Sequence, residues 1–64
     1  MKSYSSREVL QRLYDDGWYV VGYIGSHMHL KHPAKKGKVT VTHPKKDIPL
    51  KTIKAIQKQS GVVF

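Results

Sequence analysis

The chain has no cysteine, one tryptophan, one phenylalanine and only four acidic residues, and it has no apolar run of membrane-spanning length. Without cysteine there can be neither disulfides nor a thiolate metal site, so core packing alone must hold the fold. Residues 1–14 lack the apolar core of a signal peptide, and no segment is long and apolar enough for a transmembrane helix. The expectation is a soluble, cytoplasmic protein. At 64 residues, residues 1–64 read as one domain near the lower size limit for a core without cross-links. There is no repeat and no low-complexity segment. The scarcity of acid leaves twelve Lys and Arg against four Asp and Glu, a formal charge of +8. A field that large on so short a chain most often meets a polyphosphate; the plainer alternative is a basic surface that only confers solubility.

The local patterns are informative. Ser5-Ser6-Arg7-Glu8 matches a capping box, in which a hydroxyl takes the amide three residues on and the Glu carboxylate reaches back. A helix is expected from about Ser6 to Asp16, burying Val9, Leu10 and Leu13 with Tyr14 at the margin, and Gly17 supplies a left-handed stop. Trp18–Ile24 and His27–His32 are extended in character, and Gly25-Ser26 between them is a hairpin signal, since glycine accepts the positive φ that a type II′ turn requires at its first central position. Counting outward from the turn pairs Ile24 with His27, Tyr23 with Met28, Gly22 with His29, Val21 with Leu30 and Tyr19 with His32. Tyr19, Val21, Tyr23, Met28 and Leu30 then share an apolar face, and His27, His29 and Lys31 the opposite one. The same parity places Trp18, Val20 and Ile24 outside, where they would need cover from a partner or a turn.

His32-Pro33 ends the second strand, because proline has no amide for a ladder. The basic loop Ala34-Lys35-Lys36-Gly37 leads to Lys38–His43, where Val39 and Val41 alternate with Thr40 and Thr42 as a third strand. Pro44–Pro49 forms the next connection and carries Lys45 and Lys46. Pro49 is permitted at the first position of a second helix, whose buried stripe would be Leu50, Ile53 and Ile56, with Ala55 at the margin; Lys51, Lys54 and Lys58 face water and Gly61 stops it. Val62–Phe64 is an apolar tail suited to folding back. The order is α-β-β-β-α: an α+β, two-layer arrangement with an antiparallel three-stranded sheet and both helices on one face, resembling the topology of a double-stranded-RNA-binding domain.

Gly17-Trp18, Gly25-Ser26-His27, His32-Pro33, Val39-Thr40-Val41, His43-Pro44, Asp47-Ile48-Pro49 and Gln59-Ser60-Gly61, in that order and spacing, resemble the HicA toxin family over nearly the whole chain. The resemblance implies the toxin of a type II toxin–antitoxin pair: an mRNA-cleaving endoribonuclease (an mRNA interferase) with a fold like that of a double-stranded-RNA-binding domain and a HicB-type antitoxin as inhibitor. It maps the family's catalytic histidine onto His27. One departure is Gly22, where many members carry a basic residue; this strand offers phosphate no such contact.

The chemistry fits. RNA carries its own nucleophile in the 2′-hydroxyl, and an imidazole, which in water titrates near ~6.5, can take and return that proton at neutral pH. His27 is therefore the candidate general base or acid; the plainer reading is a histidine that only caps a turn. Gly25, Ser26, His29, Lys31, Lys35, Lys36, Lys38, Lys45 and Lys46 are the candidate RNA contacts, with Tyr23 and Ser26 as geometric candidates for assistance. No metal or other cofactor is expected, because His32 and His43 do not share the parity of His27 and His29. The alternative function is a non-catalytic RNA-binding module of the same fold. A DNA-binding or scaffold role is disfavoured, since no helix carries a dense set of base-reading side chains.

Overall fold

The structure, a computed structural model, describes residues 3–64; the first two residues of the amino-terminal stretch and of the one-domain span lie outside them. Its element order is α1 (Ser6–Asp16), β1 (Tyr19–Ile24), β2 (His27–Lys31), β3 (Val39–Thr42) and α2 (Leu50–Ser60). The sheet is antiparallel in the order β1-β2-β3. Helix α1 begins on the expected capping box: Ser5 Oγ accepts the Glu8 amide at 3.2 Å, and the Glu8 carboxylate accepts the Ser5 amide at 3.2 Å. At its other end Gly17 adopts φ +106°, and the Trp18 and Gly17 amides bond the Leu13 and Tyr14 carbonyls, a Schellman termination. A β-carbon at Gly17 would also come within 2.9 Å of His32 Nε2. Left-handed backbone and close approach therefore both require glycine. We expect Gly17→Ala to lower stability by about 1–3 kcal/mol, read as a fall in the denaturant midpoint at unchanged m-value.

Val9, Leu10, Leu13, Trp18, Met28, Leu30, Val39, Val41, Ile48, Ile53 and Ile56 form the core between the two helices and one sheet face. Both helices pack chiefly over β3, which leaves β1 as a thinly covered edge. The tail folds back as expected. Val62 and Phe64 lean on the core, the Phe64 ring meets Tyr4 edge-on at 5.7 Å, and Arg12 lies 5.8 Å from both ring centroids while donating to the Val63 carbonyl.

Two expectations about packing are corrected. In the first helix residue of α2, Leu50 is 45 % exposed. The core position it was expected to fill is taken by Ile48, which bridges to Tyr4 just before the helix. With Pro49 as the cap residue, Ile48 and Ile53 stand in the relation of a hydrophobic staple across the helix start. Ala55 and Tyr14 are likewise exposed.

The larger correction concerns β1. From the turn the register runs as expected through Ile24–His27, Tyr23–Met28 and Gly22–His29, but it then shifts: Val20 lies opposite Leu30 and Tyr19 opposite Lys31, with Val21 as the extra residue of a bulge. Every side chain upstream of Val21 changes face. Trp18 is thereby 2 % exposed in the core, while Val21 is 49 % and Tyr19 48 % exposed. Magnitudes explain the choice. Burying an indole removes about 150–250 Å² from water, or about 4–6 kcal/mol at 25 cal/mol/Å². The shift exchanges Trp18 and Val20 for Tyr19 and Val21, so the two valines largely offset each other, the half-exposed Tyr19 ring forfeits less than the fully buried indole gains, and a lost ladder hydrogen bond costs about 0.5–1.5 kcal/mol.

Candidate active site and nucleic-acid interface

The hairpin turn carries the candidate imidazole. Gly25 takes φ +59°, and no non-glycine residue among those described has a positive φ, consistent with a turn that needs glycine only at its first central position. His27 opens β2, opposite Ile24 on β1 and Thr42 on β3. The His43 amide donates to the Ser26 carbonyl at 2.7 Å, so the turn is pinned from β3 as well as β1. The His27 ring is exposed and has no hydrogen-bond partner among the described residues.

The other three histidines are engaged. His29 Nδ1 lies 3.2 Å from Thr40 Oγ1 on the same open face. His32 is turned to the helix side, where its Nε2–H donates to the Asp16 carbonyl at 2.7 Å, its Nδ1 accepts the Ala34 amide at 2.9 Å, and its ring meets Trp18 edge-on. His43 Nδ1 lies 2.7 Å from the buried Ser6 hydroxyl, which also accepts the Lys45 amide at 2.9 Å. The assignment that uses every group has Ser6 donate to His43. With the Ser6 amide on the Lys45 carbonyl at 2.8 Å, this ties the β3–α2 connection to the start of α1. A groove of about 340 Å³ results, lined by Ser6, Arg7, His43, Lys45 and Lys46 among others. Sequence reasoning did not bring Arg7, Ser6 and His43 together; the capping box marks Ser5, and nothing local shows that the next serine bonds to a loop 37 residues away. Tyr23, a candidate for assistance, donates its hydroxyl to the His43 carbonyl at 2.6 Å.

The candidate RNA contacts fall into two groups. Gly25, Ser26, Lys45 and Lys46 are exposed toward the end of the sheet that carries His27, through the tie between His43 and Ser26. Lys31 lies at the other end of β2, with exposed Lys36 and Lys38 in the loop that enters β3. Lys35 is held elsewhere: its ammonium donates to Asp16 Oδ2 at 2.6 Å and to the Ser60 carbonyl at 3.0 Å, joining the ends of both helices.

The hydrogen bond from Lys35 holds the Asp16 carboxyl below its ordinary value; loss of hydration, the next largest effect, opposes it, and the charges of Lys35 and His32 reinforce the hydrogen bond. The Trp18 indole N–H lacks a partner in hydrogen-bond geometry and adds only the weakest pull on that carboxylate. Because the folded value is the lower one, this contact stabilises the protein above the unfolded carboxylate's titration near 3.9 and is lost as pH falls through the folded value. Asp16→Asn should flatten that acid limb of a thermal-stability profile; an unchanged limb would show that the pair contributes nothing. The group is exposed and screened, so the effect is small.

A family model described as the HicA toxin of bacterial toxin–antitoxin systems matches residues 6–62. The chain belongs to the HicA toxin family. The match runs from the first residue of α1 to just past the Gly61 stop of α2, so it takes in the turn, both basic groups and the sheet. A search of curated proteins finds no match. As a HicA-family protein it is a toxin of a toxin–antitoxin pair, and no helix among the described residues is long and apolar enough to cross a membrane.

Proposed function

We propose that this HicA-family chain is an mRNA-cleaving endoribonuclease acting in the cytoplasm, with His27 as its proton-transfer residue and a HicB-type antitoxin as its inhibitor. The observation that carries the reading is the contrast among the histidines: three have partners inside the fold, and His27, on a turn pinned from both sides, has none among the described residues. An imidazole so held is free to bond to substrate.

The reaction follows from RNA chemistry. His27 takes the proton of a 2′-hydroxyl, and the 2′-oxygen forms a bond to the adjacent phosphorus. The bond to the 5′-oxygen breaks, and that oxygen leaves with a proton returned by the imidazolium or by water. The products are a 2′,3′-cyclic phosphate and a 5′-hydroxyl. The nucleophile is part of the substrate, so the step requires no metal-bound water. Ser26 and the Gly25 backbone border the place where the phosphate docks, His29 lies one rung along the same face, and Lys45 and Lys46 on one side with Lys31, Lys36 and Lys38 on the other meet the negative charge.

The test is to incubate the purified protein with labelled single-stranded RNA, in chelator, and analyse the ends. Cleavage leaving a cyclic phosphate is expected; RNA bound but left intact would favour a non-catalytic binding module. Binding should also weaken with salt, the logarithm of affinity falling by about 0.7 per tenfold rise for each phosphate neutralised. A flat response would remove the lysines from the interface.

A further inference from the structure

The bulge at Val21 changes the character of the uncovered sheet face as well as the core. By register, Ile24, His27 and Thr42 form one row beside the turn, Gly22, His29 and Thr40 a middle row, and Tyr19 and Lys31 the far row. Tyr19 is half exposed there. His29 and Tyr19 are diagonal neighbours, roughly 7–8 Å apart by ordinary sheet geometry, and the His29 ring is steadied by Thr40. Gly22 sits beside them, and a β-carbon added to it would meet nothing within 4 Å. The middle of the face is therefore an open floor of bare backbone between rings.

We infer that this face binds unpaired nucleotides on one side of the scissile bond, with a base stacked on Tyr19 and the strand's phosphates on Lys31 and Lys38. The inference rests on the ribonuclease reading above for the placement of the cut at His27. Lys31 lies four steps along β2 from His27, about 14 Å at 3.4 Å per residue, a reach that seats a few nucleotides. Flat rings on an open basic surface suit bases with free faces, because every base offers a π surface and stacking is tolerant of sequence. In an A-form duplex those faces are already stacked on one another, so the same rings find nothing to hold. The charge of +8 makes nucleic acid the matching occupant.

The test uses a 2′-O-methyl RNA strand, which binds but has no free 2′-hydroxyl to be cut, and a duplex of the same sequence, with affinities read by fluorescence anisotropy. The parent should prefer the single strand. Tyr19→Ala should weaken single-strand binding about tenfold and leave duplex binding unchanged, whereas Tyr19→Phe keeps the stack and should stay within about twofold of the parent. Gly22→Val, whose β-carbon meets nothing within 4 Å, should remain folded and also weaken the single strand by obstructing the floor. Equal affinity of parent and Tyr19→Ala, or of strand and duplex, would overturn the inference, and so would a Tyr19→Ala protein that keeps RNA but loses its antitoxin polypeptide. If RNA is cleaved while binding ignores Tyr19, the stacking face alone fails. If binding depends on Tyr19 but no RNA is cleaved, the ribonuclease reading fails and the face stands.

Discussion

If the proposed ribonuclease mechanism holds, His27→Ala is expected to lower RNA cleavage by about 10²–10⁴-fold, the range supplied by a positioned proton-transfer group. The effect should fall on the chemical step. His27 is exposed, and no partner among the described residues depends on its ring, so stability should stay within about 0.5 kcal/mol of the parent. A folded protein with intact binding and lost cleavage is thus the expected phenotype, and growth arrest on expression should disappear with it. His29→Ala makes the contrast: it removes a ring held by Thr40 and should weaken binding more than it slows a saturated reaction. Undiminished cleavage by a folded His27→Ala protein would take the imidazole out of the mechanism.

Trp18→Ala produces the largest loss of stability, about 3–5 kcal/mol. At ~0.05–0.15 kcal/mol per residue, a chain of this size holds only about 3–10 kcal/mol in all, so the variant is largely unfolded or melts at least ~12 °C lower. His32 would lose its ring contact. A companion variant separates the bulge from a regular ladder. Deleting Val21 removes the extra residue, lets Val20 and Gly22 follow one another opposite Leu30 and His29, and keeps Trp18 inside. Its tryptophan emission should remain that of a buried indole. In an unbulged register Trp18 would already face water in the parent, whose red-shifted emission would show it, and the same deletion would turn the ring inward.

Local sequence is decisive where a residue type admits few conformations. The capping box, the two helix-stopping glycines, the Gly25 turn and the Val39/Val41 alternation each have one economical solution, and the structure has it. It failed at Tyr19–Val21, because Tyr, Val and Val all suit an extended edge and nothing in their order marks which is the extra one. The warning was the unburied Trp18 itself: an indole left outside by strict alternation was the sign of a register shift. The failure also explains which part of the candidate site was legible. Parity counted from the turn holds as far as Gly22, so His27 and His29 were placed on the open face, whereas Tyr19, beyond the bulge, was placed on the wrong one. No local pattern sets Lys35 apart from Lys36 and Lys38, because its acceptors, Asp16 and the Ser60 carbonyl, belong to distant elements that only the fold brings near.

The extra residue sits on the outermost strand, whose far side has no neighbour in the sheet. An edge that exposes Val20, Val21 and Ile24 would, if straight, be a template for another copy of the chain to add to. A kink midway along breaks the even spacing of donors and acceptors that such self-association needs. The device that draws the indole inward thus also guards a sparsely covered margin against aggregation.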